Sequence, residues 1–181
     1  IIVMSVMNGF RTELINKIVG FNPHAVVKPY GKSINSDSFK ANNFLQNNVS
    51  SIVFSNDGEG VILNKDKTKG VLLKGYSDND FRNLKIAKNK EFYGKKELKE
   101  NSISIGRELS FNLNLDIGDT VTLMSPAGIQ TIVGSLPKQE VFEVVSIFDS
   151  GLVNFNENVA YINLNTLESF FDKSSDLRFL E

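Results

Sequence analysis

Few side chains in this sequence could do bond chemistry, and they are badly placed for it. His24 is the single histidine, so a Ser-His-Asp triad has one possible base and a histidine metal cluster lacks its other members. It stands beside Pro23 at the head of the run His24 to Pro29 and reads as structural. Gly31-Lys32-Ser33 matches the end of a phosphate-binding loop, but the pattern GxxxxGK[ST] needs glycine at position 26, where Val26 stands. ATP binding by this chain is therefore excluded. Asp57, Glu59, Asp78 and Asp80 lie near glycines or turn formers without the spacing of a calcium loop, and turn chemistry accounts for them. Asp116 and Asp119 flank Ile117-Gly118 and read as the ends of a tight turn rather than as an acid/base pair. There is no cysteine, hence no thiol nucleophile, disulfide framework or thiolate metal site. The expectation is a non-catalytic chain with no cofactor and no metal.

The elements that would have to position such groups alternate β and α. A helix runs from Ile1 to about Val19, with Gly20 as its C-cap and Pro23 beyond it. His24 to Pro29 reads as a strand, and a helix follows, capped by Ser36 or Asp37, with Phe39, Phe44 and Leu45 on its apolar face. Ser51 to Phe54 is a short strand and Asn56-Asp57-Gly58 a turn. Gly60 to Leu63 and Gly70 to Lys74 form a hairpin around the polar loop Asn64 to Lys69. Tyr76 to Glu100 is polar and lysine-rich, anchored by Phe81, Leu84 and Ile86, and a subdomain boundary falls near Gly75. Beyond it come a strand over Ser102 to Ile105, a helix over Gly106 to Leu113, and strands over Thr120 to Met124, Val141 to Phe148 and Val159 to Ile162. Asn163 or Asn165 caps a last helix from about Thr166 to Phe171. Leu177 to Glu181 begins an alternating strand.

The start Ile1-Ile2-Val3-Met4-Ser5-Val6-Met7 is apolar on nearly every face, then narrows to a stripe at Phe10, Leu14 and Ile18 with Ile15 beside it. That change is expected of a helix leaving lipid for water. The apolar start is far shorter than the ~20 residues of a bilayer span, so the sequence reads as an internal piece that begins at the end of a membrane helix, the other reading being a buried amphipathic helix. With a net charge of -1 nothing points to nucleic acid or anionic lipid as the main partner, since either would need a basic surface. The lysines between Lys85 and Lys99 read as a solvated face.

One segment is unlike the rest. Ser125 to Glu140 (SPAGIQTIVGSLPKQE) joins two strands, yet hairpin loops usually take two to five residues. From Ser125 to Pro137 it carries no charge, while Ile129, Ile132, Val133 and Leu136 are apolar. Pro126 and Pro137 bracket it and Gly128 and Gly134 lie within it. On the residues alone, two readings stand: the segment folds back over the domain's own core, or it projects and docks into a partner.

Several stretches resemble one family. Met4-Ser-Val-Met-Asn-Gly-Phe-Arg-Thr-Glu-Leu and Gly20-Phe-Asn-Pro-His24 are similar to the junction after the first transmembrane helix of LolC/LolE-type permeases of lipoprotein-releasing ABC transporters. Leu115-Asp-Ile-Gly-Asp-Thr-Val-Thr-Leu-Met-Ser-Pro126 resembles the strand entering that family's projecting hairpin. Gly134-Ser-Leu-Pro-Lys-Gln139 and Phe142-Glu-Val-Val-Ser-Ile-Phe148 resemble its exit, and Ala160-Tyr-Ile-Asn-Leu-Asn-Thr-Leu-Glu-Ser-Phe-Phe171 resembles the strand and helix that return from it.

The resemblance implies an α+β fold of the MacB periplasmic type. A Porter-like α+β subdomain would comprise residues 1–75 and 163–181. An inserted, mostly β Sabre-like subdomain would comprise residues 76–162 and carry a long projecting hairpin. It implies an inner-membrane protein with this domain in the periplasm of a Gram-negative bacterium. The implied partners are a second permease subunit, a cytoplasmic LolD-like ATPase, the lipoprotein substrate and a LolA-like periplasmic chaperone.

Carried over by position, the chaperone-binding hook is Pro126, Ala127, Gly128, Ile129, Gln130, Thr131, Ile132, Val133, Gly134, Ser135, Leu136 and Pro137, and the pad beside it is Thr122, Gln139 and Glu140. The family's LolC pattern has arginines where Thr122 and Glu140 stand, so this pad departs from it. A hook favours a LolC-like or hybrid LolF-like role over a LolE-like one. The alternatives are a MacB- or FtsX-type mechanotransmission domain acting on another partner, and a soluble enzyme with a mobile loop over polar groups.

Overall fold

The computed structural model describes residues 21–30, 34, 48, 49, 51–131 and 134–181. The helices expected over Ile1 to Val19 and from Ser36 onward, and Gly31-Lys32-Ser33, lie outside these residues. The described chain is mixed α/β with few, short helices. In order come β1 (Phe54–Asn64), β2 (Lys67–Tyr76), α1 (Asp78–Asn83), β3 (Phe92–Gly94), β4 (Ser102–Gly106), α2 (Arg107–Leu113), β5 (Thr120–Thr131) and β6 (Gly134–Phe148). Then follow α3 (Val153–Asn158), β7 (Val159–Asn163), α4 (Leu164–Phe170), a 3₁₀ turn (Ser175–Leu177) and β8 (Phe179–Leu180). No helix among the described residues is long and apolar enough to cross a membrane.

The strands close on themselves. β1 pairs antiparallel with β2, β2 parallel with β7, β7 antiparallel with β4, β4 parallel with β6, β6 antiparallel with β5, and β5 antiparallel with β1. Six strands thus form a barrel, which removes most of the edge that an open sheet would present. β3 lies against the end of β6, and β8 against the start of β1. The ring takes strands from both sides of the boundary expected near Gly75. The early and late parts of the chain also meet, through the bridge Val27–Leu180 and the pairs of β8 with β1.

Alternation along the strands sorts their side chains into two cores. Ile62, Leu73, Ile103, Ile105, Leu123, Phe142, Val144, Ala160 and Ile162, drawn from all six strands, form the interior cluster. Each such buried side chain contributes roughly 1.5–3 kcal/mol against leaving it in water. Leu109 and Leu113 of α2 and Leu167 and Phe170 of α4 belong to the same cluster. Because α2 follows β4, α4 follows β7, and those strands are antiparallel, the two helices close opposite ends of the barrel. Outside it, Tyr76, Val145, Phe148, Val159 and Tyr161 are covered by Phe81, Ile86, Ala87 and Leu98 of the lysine-rich segment, with Leu84 partly buried against them. The three expected anchors of that segment hold.

Several expectations need correcting. Asn56-Asp57-Gly58 is not a turn but part of β1, paired with Gly75, Lys74 and Leu73. Its glycine serves packing: a Cβ on Gly58 would stand 2.5 Å from the Phe171 ring. The loop expected over Asn64 to Lys69 shrinks to the turn Lys65-Asp66, with Lys65 in the left-handed region at φ 53°. The strand expected over Ser51 to Phe54 begins at Phe54, and His24 to Pro29 holds a single bridge at Val27. Asp116 and Asp119 do form the predicted turn: the Asp116 amide donates to Asp119 Oδ2 at 2.8 Å, and Gly118 takes φ 98°. Asn163 is the cap of α4, accepting from the Asn165 amide at 3.0 Å.

A ribbon beyond the barrel

The largest correction falls on Ser125 to Glu140. It is not a loop but the continuation of β5 and β6, which pair from Thr120↔Glu143 to Thr131↔Gly134. Ile132 and Val133, between the two strands, lie outside the described residues. β1 pairs with β5 only up to Met124, and β4 meets β6 only from Glu143 on. Past those points, among the described residues, the two strands have only each other as ladder partners and extend as a two-stranded ribbon.

The prolines explain why this reads as a loop in sequence. The register steps from Ser125↔Lys138 to Ile129↔Leu136, so Pro126, Ala127 and Gly128 stand against Pro137 alone. A proline cannot donate to the ladder and is tolerated where pairing is broken. The bulge accommodates both prolines, lets pairing resume beyond them, and strengthens the local twist.

The base of the ribbon is where the structure places the three pad residues, and it separates them. Residues directly opposed in an antiparallel pair share a face. Thr122 opposes Val141 and Met124 opposes Gln139, whereas Glu140 opposes Leu123, which is fully buried. Thr122 and Gln139 therefore share the outward face, where Gln139 Nε2 donates to Met124 Sδ at 3.7 Å. Glu140 points the other way, toward α4, and pairs with Lys138 at 3.6 Å. Lys138 in turn donates to the Ser169 carbonyl at 2.7 Å and stands 5.9 Å from the Phe170 ring centre.

Sequence reading missed Val141. It starts the strand expected over Val141 to Phe148, and it is 58% exposed on the same face as Thr122 and Gln139. Its signal was the alternation with buried Phe142. Leu136, expected on the hook, is 61% exposed.

Exposed Leu136 and Val141 and, among the described residues, strand edges left without a further ladder partner are means of docking. Elsewhere His24 is exposed, Asp78 and Asp80 serve the first turn of α1 and its Ser77 cap, and Glu59 lies exposed on β1. Among the described residues no three His, Cys, Asp or Glu side chains are grouped to hold a metal ion.

No protein-family profile matches the chain. It is 25% identical over 169 residues to the lipoprotein-releasing system transmembrane protein LolC of Neisseria meningitidis, covering 91% of this chain and 40% of that one. To LolC of Buchnera aphidicola (subspecies Schizaphis graminum) it is 24% identical over 174 residues, covering 91% and 44%. To LolC of Xylella fastidiosa it is 23% identical over 169 residues, covering 91% and 41%. The chain thus spans about two-fifths of the length of the curated relatives it matches. Among solved structures it is similar to the extracellular domain of the ABC-type transporter YknZ from Gram-positive bacteria, with TM-score 0.47 and 12% identity over 86% of this chain and 82% of that one. A domain of a permease protein from Porphyromonas gingivalis gives TM-score 0.46 and 13% identity over 75% and 57%. The resemblance to LolC-type permeases read from scattered motifs therefore extends along nearly the whole chain.

Proposed function

We propose that this chain is the periplasmic domain of the permease of an ATP-driven lipoprotein-releasing transporter in the inner membrane of a Gram-negative bacterium, and that the ribbon over residues 126–137 is a hook that docks a LolA-like chaperone. The observation that carries the reading is the likeness to proteins named LolC over 91% of the chain. The paired ribbon beyond Met124 supports the docking role. In this reading the domain makes and breaks no bonds. A LolD-like ATPase, a second permease subunit and the membrane helices supply the motion. The hook holds the acceptor close while lipoprotein passes to it, which raises the acceptor's effective concentration.

The discontinuous Porter-like part, residues 1–75 with 163–181, and the Sabre-like part, residues 76–162, belong to the same proposal. The meeting of Val27, β1 and β8 supports joining the two ends of the chain in one part. For the pad, Thr122 and Gln139 are the members that can face a chaperone bound along the outward face, with Val141 between them in the row.

The test is calorimetry with LolA from the same organism. The intact domain binds, and a variant in which residues 128–136 are replaced by a short turn does not. Ile132→Asp and Val133→Asp each abolish capture while the thermal transition stays in place, since each apolar anchor contributes roughly 1.5–3 kcal/mol before ordering costs. A folded domain that ignores LolA with or without the ribbon shifts the reading to a MacB- or FtsX-type coupling domain.

A further inference from the structure

Three separate features meet at one end of the barrel: the base of the ribbon, helix α4, and the strand β8 that pairs with the segment around Val27. They are joined by polar contacts rather than by the sheet ladder alone. Arg178, which precedes β8, holds Glu168 of α4 bidentately, Nε to Oε1 and Nη2 to Oε2, both at 2.7 Å, and its Nη2 also donates to Asn165 Oδ1 at 3.1 Å. One helical position on, the Ser169 carbonyl accepts from Lys138 at 2.7 Å. The ammonium of Lys138 sits 5.9 Å from the ring centre of Phe170, and that ring stacks edge-on against Phe142 of β6 at 6.2 Å. On its other side β8 is bonded to Val27, with N to O distances of 2.8 and 2.9 Å in the two directions.

The lysine is needed because of what surrounds it. The ribbon leaves the barrel where its ladder to β1 has ended, so its own backbone bonds fix the pairing of β5 with β6 but not the angle of the ribbon to the barrel. Lys138 follows Pro137, which stands opposite the bulge of β5, and its bond to α4 is the strut that sets this angle. α4 is itself held one residue away, at Glu168, by a bidentate arginine pair, which fixes direction as well as distance.

We propose that the last turn of α4 is a relay: through the adjacent contacts Arg178–Glu168 and Lys138–Ser169 it couples the position of the β8–Val27 pair to the orientation of the ribbon. Lys138 and Arg178 are positioning residues for the ribbon, and neither need touch what it docks on. The coupling is a property of this fold, while its use in delivering a lipoprotein rests on the function proposed above.

The experiment is pulsed electron spin resonance on the full-length protein in detergent micelles. One spin label replaces exposed Leu136 on the ribbon, and one replaces exposed Val153 near the opposite end of the barrel. The parent protein gives one narrow distance peak. Lys138→Met adds a second, undocked population, raised about 2- to 30-fold over the parent, the shift that couplings of this kind carry, and Lys138→Arg restores the single peak. Arg178→Met raises the same undocked population although it touches no ribbon residue, and Glu168→Gln does likewise should the arginine variant fail to fold. The combined Lys138 and Arg178 variant shifts the population by less than the product of the single effects, because both cut one path. A Lys138→Met effect without any from Arg178→Met or Glu168→Gln overturns the relay, as do distributions unchanged in every variant. Chaperone binding enters none of these readings, so they stand or fall apart from the transporter assignment.

Discussion

A single methyl group tests how tightly this barrel is built. Gly106 ends β4 with φ -74°, a conformation open to any residue, yet a Cβ there would lie 2.0 Å from the Asn156 carbonyl oxygen. The obstacle is backbone, so no side-chain rotation relieves it. Gly106→Ala is expected to cost about 2–3 kcal/mol, read as a lowered denaturation midpoint with unchanged slope, whereas Gly70→Ala, which meets nothing within 4 Å, leaves the midpoint in place. A second residue-scale expectation concerns pH. Burial, together with the nearby Glu181 carboxylate, pushes the Tyr161 phenol well above its ordinary range, and it raises Tyr76 in the same way. Tyr76 also donates to Glu181 Oε2 at 2.5 Å. The folded state therefore holds these protons more tightly than the unfolded chain. Their contribution is complete below the ordinary phenol value near pH 10 and is lost as pH rises above it, by up to about 1.4 kcal/mol per pH unit per group. Urea titrations between pH 8 and 11.5 should show this slope, and Tyr161→Phe should remove its share. An identical slope in the variant would place the alkaline loss elsewhere.

At the scale of elements, the sequence was readable where pattern and pairing agree. Ser102 to Ile105, Val141 to Phe148 and Val159 to Ile162 alternate or run apolar, and each is a strand. Asn163 before an amphipathic stretch marked α4. Reading failed where a distant partner decides. Asn56-Asp57-Gly58 looks like a turn until Phe171 and Lys74 are placed against it. The bulge at Pro126 to Gly128 looks like a break because a proline stands on each strand there, Pro126 and Pro137. The site was legible in one respect, the uncharged run from Ser125 to Pro137, and illegible in another. The faces of Thr122, Gln139 and Glu140 depend on register, which a loop assignment discards. Helix α3 went unseen because only Asn156 of its six residues is buried, and that side chain is held by polar contacts rather than by an apolar stripe. Its amide donates to Asp149 at 2.7 Å and accepts from the Ser150 amide and hydroxyl at 2.9 and 2.7 Å, while Asp149 also pairs with Arg107 at 2.6 Å. Asn156→Ala strips partners from two buried neighbours and is expected to cost about 2–3 kcal/mol. A loss no larger than that of an exposed substitution such as Asn154→Ala would show that the network is dispensable.

At the scale of the molecule, the closed ring was beyond sequence reasoning because its parallel pairings, β2 with β7 and β4 with β6, join segments far apart in the chain. Closure has a consequence for unfolding. The two hydrophobic clusters are not side by side but back to back on the same strands: Ala160 and Ile162 point inward from β7, while Val159 and Tyr161 point outward. Neither cluster can lose its packing while the strands that carry it keep the other. A division into parts that fold independently would separate the losses, with β1 and β2 going before or after β4 to β6. The ring forbids this because β1 pairs with both β2 and β5. One cooperative transition is therefore expected. With exposed Tyr30 and Tyr93 replaced by Phe, tyrosine emission from Tyr76 and Tyr161 reports the outer cluster in a chain without tryptophan, and the resonance of a 4-fluorophenylalanine at Phe142 reports the inner one. Under urea the two curves should superimpose. If they separate, the seam of three residue pairs between β1 and β5 opens before the rest, and the two parts of the proposed division can move as separate bodies when force reaches them.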